Sequence, residues 1–219
     1  RWGRLWVGTY EGCYCFFNMV FANHRLTDGN DIVRAMAAAD DSTLVMCTLN
    51  GKLLAMNTRT GQTDLVSSQQ DGFFLPSAVR LDGKIYMGGD GDVACVDGRR
   101  VRWLGLPGGQ YTFVSRYQRK LVVGTRNALL TYNPATEQTD TLASDVLHPW
   151  VAAEDAQGCL WVGTSSGLYK IAPAKGKGYE ARHIDYRQKL IITAMAGDRA
   201  GNVVFASADS LLLIRDGKV

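Results

Sequence analysis

Any acid–base chemistry near neutral pH in this chain would have to start from three histidines, His24, His148 and His183. None stands in a Ser-His-Asp, Cys-His or H-E-x-x-H spacing. The carboxylates sit mostly in turn sequences, as in Asp40-Asp41, Asp82-Gly83 and Asp198, where an Asp side chain caps backbone amides. Asp90-Gly91-Asp92 is too short for an EF-hand calcium loop and reads as a turn. The five cysteines (Cys13, Cys15, Cys47, Cys95 and Cys159) are odd in number and scattered, a poor disulfide framework. Cys13-Tyr14-Cys15 is not a CxxC motif, and no His lies near it in sequence to complete a zinc site. Each thiol lies in or beside an apolar, strand-like run and is expected to be a buried structural residue. The sequence therefore predicts no catalytic set, no metal and no cofactor.

Composition narrows the partners. Of the 219 residues, 46% are hydrophobic and 21% charged, as in a globular protein with a large core. The net charge of +3 is too small to imply a polyanionic partner. Two basic stretches, Arg99 to Lys120 and Lys175 to Lys189, are expected to be solvated turns and outer strands, so no nucleic acid is predicted. No apolar run approaches the roughly 20 residues that span a bilayer, which leaves any membrane contact to flanking segments.

The elements that position these residues follow from an internal repeat. Gly3-Arg4-Leu5-Trp6-Val7-Gly8-Thr9-Tyr10-Glu11-Gly12-Cys13-Tyr14 matches Gly158-Cys159-Leu160-Trp161-Val162-Gly163-Thr164-Ser165-Ser166-Gly167-Leu168-Tyr169 at eight of twelve positions. Weaker copies centre on Leu44 to Thr48, Ile85 to Gly89, Leu121 to Thr125 and Val203 to Ser207, with successive spacings of 39, 41, 36, 39 and 43 residues. Each apolar run is short, β-branched or aromatic, and bounded by turn residues. The unit from Val151 reads as four strands: Val151 to Glu154, Leu160 to Thr164, Leu168 to Ile171, and a more polar Tyr179 to Ile184. Four antiparallel strands in about 40 residues make a β-propeller blade. The predicted fold is all-β, a propeller of about six blade units at approximately 1–23, 24–69, 70–106, 107–145, 146–186 and 187–219.

Within a unit each position has a physical role. The first strand carries small residues for a crowded axis, among them Ala35, Ala37, Ala38, Ala152, Ala153, Ala194 and Ala196. The fourth core position of strand two is always small (Gly8, Cys47, Gly88, Gly124, Gly163, Ala206), letting the neighbouring blade approach. The next position is usually Thr, able to bond locally or to pair across strands. Trp6, Tyr86 and Trp161 at the second position are expected to fill the space between sheets. The chain begins at a second strand and ends after a third, so the first and last units are incomplete in different ways. That phase predicts part of a larger propeller, whose open edges favour self-association or adjoining blades.

The unit Asp155-Ala156-Gln157-Gly158-Cys159-Leu160-Trp161-Val162-Gly163-Thr164-Ser165-Ser166-Gly167-Leu168-Tyr169 resembles the two-component regulator propeller repeat throughout. Gly3 to Tyr14 matches with Cys13 in place of a Leu, and Asp198 to Ser207 keeps the turn without the Trp. The resemblance implies the periplasmic sensor half of a Bacteroidetes hybrid two-component system: consecutive propellers, a β-sandwich, a membrane helix and a cytoplasmic histidine kinase. Such a sensor detects glycan breakdown products, so the implied role is ligand sensing or scaffolding in a periplasmic domain without catalysis, with an oligosaccharide as ligand.

A non-signalling protein-interaction scaffold and two enzymatic propellers compete with this reading. Gly51 to Gln62 resembles a quinoprotein repeat, but Asn57 replaces the expected Asp and no Trp follows. Streptogramin-lyase-like propellers share the G-x-L-W core and use a catalytic His, for which His148 is the match. A binding site is expected where loops of several blades converge at one end of the strands. The candidates are Tyr10, Glu11, Asn50, Asp90, Arg126, Asn127, Ser165 and Asp209 from the second-to-third strand loops. Asn30, Phe73, Tyr111, His148 and Trp150 come from the loops leading into first strands. Of these, Tyr10, Glu11, Arg126, Asn127, Tyr111, His148 and Trp150 form the predicted ligand site, with Tyr111 and Trp150 as carbohydrate platforms.

Overall fold

Runs of β-branched and aromatic residues, interrupted every five to seven residues by Gly, Asp, Asn or Ser, suit strands and tight turns. In the computed structural model, which describes residues 5–9, 12–17, 20–24, 26, 32–68, 77–89, 91–108, 110–174, 178–184, 191–198, 200–207 and 210–219, every regular element is a strand. No helix among these residues is long and apolar enough to cross a membrane.

The strands divide between two compact units, Arg1–Gly105 and Leu106–Val219. Unit 1 holds a three-stranded sheet of β1 (Leu5–Thr9), β2 (Gly12–Phe17) and β3 (Val20–His24). Its second sheet is β4 (Val33–Ala38), β5 (Thr43–Thr48), β6 (Lys52–Asn57) and β7 (Thr63–Ser68). The third is β8 (Ser77–Leu81), β9 (Lys84–Gly88), β10 (Val93–Asp97) and β11 (Arg100–Trp103). Unit 2 begins with β12 (Tyr111–Tyr117), β13 (Lys120–Thr125), β14 (Ala128–Asn133) and β15 (Gln138–Ser144). Next come β16 (Pro149–Glu154), β17 (Leu160–Thr164), β18 (Gly167–Pro173) and β19 (Tyr179–Ile184). The last sheet is β20 (Ile192–Gly197), β21 (Val203–Ser207) and β22 (Ser210–Ile214). Every sheet pairs its strands antiparallel in chain order, the meander of a propeller blade. His24 ends β3 opposite Cys13, so it belongs to the first sheet and not to the second unit, where the repeat phase placed it.

The core lies between successive sheets. In unit 1, Val45, Cys47 and Leu53 of the second blade pack on Ile85, Met87, Ala94 and Val96 of the third. In unit 2, Phe113, Tyr117, Val122 and Leu129 of one blade pack on Ala152, Leu160, Val162 and Ile171 of the next. Trp161 and Tyr86 are buried fillers as expected, and the five cysteines are buried and form no disulfide among the described residues. Gly163 earns its place by close approach: a Cβ there would lie 2.8 Å from Cβ of Ile192 on the following blade. At Gly124 the obstacle is instead its own blade, the ring of Phe113 and, at 2.7 Å, Oγ1 of Thr112.

The motif Asp155 to Tyr169 has a structural explanation. Asp155 accepts the amides of Gln157 and Cys159 through Oδ1, both at 2.9 Å, and the Trp161 indole N–H through Oδ2 at 2.7 Å. One carboxylate thus closes the turn and orients the buried Trp. The threonine after the small residue bonds locally: Thr164 Oγ1 donates to the Gly167 carbonyl at 2.9 Å and accepts the Ser166 amide at 3.0 Å. Thr125 does the same with Ala128.

Candidate functional site

Unit 2 brings together loops from two neighbouring blades. The His148 amide donates to the Arg126 carbonyl (2.9 Å), and the Ser165 amide donates to the His148 carbonyl (3.3 Å). The β13–β14 turn, the segment leading into β16 and the β17–β18 turn are therefore tied through backbone. His148 adopts a left-handed φ of 46°, a conformation a non-glycine residue keeps only when its surroundings hold it. Here the two backbone bonds supply that hold. Arg126, Asn127 and His148 are exposed, and Trp150 is 55% exposed.

Trp150 faces outward because of a β-bulge. The β16–β17 register slips between Pro149 and Val151, leaving Trp150 as the extra residue. The same slip recurs in other first strands, at Thr112 of β12 and Thr193 of β20 in unit 2 and at Arg34 of β4 in unit 1. Thr193 and Arg34 are exposed, while Thr112 is half-buried with an Oγ1 that has no hydrogen-bond partner among the described residues. These positions escaped the sequence reading. Their signal is an apolar residue followed by a polar or large one just before the small-residue run: Val33-Arg34, Tyr111-Thr112, Pro149-Trp150, Ile192-Thr193.

The structure separates the predicted site residues. Arg126, Asn127, His148, Trp150 and Ser165 cluster in unit 2. Tyr111 does not serve as a platform: its ring is 2% exposed, and its hydroxyl donates to the Leu106 carbonyl. In the bulged first strands the residue before the bulge (Val33, Tyr111, Pro149, Ile192) is buried, and the bulged residue is exposed except at Thr112. Asn50 is an exposed turn residue of unit 1. Tyr10, Glu11, Asn30, Phe73, Asp90 and Asp209 lie outside the described residues. His183, from the same blade as His148, sits edge-on to Tyr169 with ring centroids 4.9 Å apart.

An exposed indole, a guanidinium and an imidazole on tied loops can stack on a flat ligand face and donate hydrogen bonds to its oxygens. Among the described residues no group of three or more His, Cys, Asp or Glu could hold a metal. Asp198, held below the usual carboxylate range by hydrogen bonds from the Asn202 side chain and amide, serves its own turn. So does Asp40, whose carboxyl is lowered chiefly by the Ser42 amide.

No protein-family profile and no curated protein matches the chain. Solved structures do. The extracellular domain of the hybrid two-component system BT4673 from B. thetaiotaomicron superposes with a TM-score of 0.79 at 19% identity, over 99% of this chain and 31% of that one. The corresponding domain of BT3049 gives 0.73 at 15% identity, over 96% and 32%. Virginiamycin B lyase from Staphylococcus aureus gives 0.84 at 11% identity, over 99% and 79%. The fold is that of a β-propeller, and extracellular domains of hybrid two-component systems, the type of protein whose repeat the sequence resembles, are among its neighbours. This chain spans about a third of the length of those extracellular domains.

Proposed function

We propose that the chain is a ligand-sensing propeller segment of an extracytoplasmic receptor of the hybrid two-component type, and that its ligand is a fragment of a complex glycan. The observation that carries this reading is the Arg126–His148–Ser165 backbone tie beside the bulged, exposed Trp150. Loops held rigidly around one outward indole bind a sugar face without a large ordering cost. The likeness to extracellular sensor domains supports the setting.

The test is calorimetric titration with oligosaccharides released from complex glycans, with mass spectrometry of each sugar afterwards. The sensor reading expects saturable binding, sugars recovered intact, and at least about a tenfold weaker Kd in Trp150→Ala, the size of effect a stacking aromatic carries. A panel with no binder, or a Trp150→Ala variant that binds unchanged, would overturn it. A second reading rests on the likeness to virginiamycin B lyase and the position of His148 ahead of an inner strand. It requires turnover of a streptogramin that disappears in His148→Ala.

A further inference from the structure

A cavity of about 430 Å3 opens between the second and third blades of unit 1, within the range of small-molecule sites. It lies among the β4–β5, β6–β7, β8–β9 and β10–β11 turns, the other set of turns from those that carry Asn50. Its apolar wall is Ala39, Val45, Met56, Ile85 and Val96, and its rim carries Asp40, Asp64 and Arg99. Arg99 Nη2 meets Asp64 Oδ2 at 2.6 Å, so the rim pair is mutually neutralised.

What belongs in this space is shown by the equivalent junction of unit 2. Aligning the bulges of β4 and β12 sets Ala39 on Tyr117. Aligning the strand-two cores sets Val45 on Val122, Ile85 on Leu160 and Gly83 on Gly158. Across the next ladder Val96 falls on Ile171 and Arg99 on Tyr179. In unit 2 the Tyr117 ring fills the junction: it is buried against Val122, Leu160 and Ile171, lies edge-on to Tyr179 at 5.8 Å, and donates its hydroxyl to the Gly158 carbonyl at 2.9 Å. Unit 1 has apolar walls at the equivalent positions and a left-handed glycine, Gly83, in its shorter β8–β9 turn, but Ala39 and Arg99 replace the two rings. The consequence is a cavity where unit 2 holds a ring and its hydroxyl.

We propose that this cleft binds a small, uncharged aromatic hydroxyl compound. The ring takes the place that Tyr117 has in unit 2, the hydroxyl points to the Gly83 turn, and the Arg99 guanidinium covers the ring edge left by the missing Tyr179. The site is independent of the glycan reading: it lies in the other unit, uses none of the same residues and takes a different chemical class.

The probe is 4-methylphenol, the tyrosine side chain as a free molecule, titrated into the chain and followed by thermal melting and calorimetry. Saturable binding with a rise in melting temperature is expected. Toluene, which lacks the hydroxyl, should bind about threefold to tenfold more weakly, because the turn's polar group is then left unpaired. Ala39→Tyr should fill the cleft from within and weaken 4-methylphenol at least about tenfold. Should Ala39→Tyr fail to fold, Ala39→Leu makes the same test with a smaller side chain. No saturable binding to the unaltered chain, or unchanged binding in both variants, would overturn the site, and equal affinity for toluene would overturn the hydroxyl's role.

Discussion

The junction of β4–β7 with β8–β11 in unit 1 and that of β12–β15 with β16–β19 in unit 2 are built on one plan and finished differently. In unit 2 the seam is sewn by polar bonds between blades: Tyr117 Oη to Gly158 O, the Gln118 amide to Glu154 Oε2 at 2.9 Å, and Ser115 Oγ to Ala152 O at 3.1 Å. The next seam continues it, with the Ala156 amide on the Gly201 carbonyl at 3.0 Å. In unit 1 an exposed ion pair, Asp64–Arg99, links those blades above an open cavity. The comparison teaches that apolar strand faces suffice to stack blades. Whether a seam is closed or open depends on single residues at the strand ends, here Tyr117 against Ala39.

The largest effect should come from undoing the closed seam. Tyr117→Ala removes a buried ring and an inter-blade hydrogen bond, and is expected to destabilise unit 2 by about 3–5 kcal/mol in urea denaturation. Tyr117→Phe keeps the ring and should cost only about 1 kcal/mol. A Tyr117→Ala cost no larger than that of Tyr117→Phe would mean that the ring does not close the seam.

Asp155→Ala comes next. It leaves two turn amides and the Trp161 indole without their acceptor, and a loss of about 1–3 kcal/mol is expected. Trp161 fluorescence should change with it if the carboxylate orients the indole.

Alkaline pH acts on both units. Burial, with a smaller contribution from Cys15, pushes the Cys13 thiol from 9.0 up to about 11 in unit 1. Burial, followed by Tyr179 and Glu154, pushes the Tyr117 hydroxyl up in unit 2. In each case the fold favours the protonated form, so the unfolded chain loses that proton first. The Cys13 contribution is complete below pH 9 and is lost as pH rises through about 11. Denaturation midpoints should fall across that window, and less steeply in Cys13→Ala. An unchanged slope would remove the thiol from the account.

The smallest effect belongs to the open seam. Arg99→Ala breaks an exposed ion pair and should cost less than about 1 kcal/mol, vanishing in 1 M salt. A larger, salt-independent loss would mean that Arg99 packs into the cleft rather than capping it.

Much of the architecture was legible in the residues. The spacing of Gly8, Cys47, Gly88, Gly124, Gly163 and Ala206 marks one strand per blade, where a side chain would strike the following blade at Gly163 and its own blade at Gly124. The aromatic fillers and the buried thiols followed from the same periodicity. The site was only half legible. Arg126 and His148 could be named from loop position, but Tyr111 could not be told from Trp150, since both stand near the start of a first strand. A one-residue bulge reverses which of two neighbours faces solvent, and it has no residue type of its own.

The repeat by itself determined the all-β blade, its strand order and the places where turns must fall, because alternation and turn chemistry are local properties. Only the tertiary structure decided which loops are bonded to one another and which ring is buried. It also decided that Ala39 borders a cavity where the Tyr117 ring fills the equivalent junction. Those outcomes depend on what a neighbouring blade presents, at contacts about 40 residues away in the chain, as between Tyr117 and Gly158.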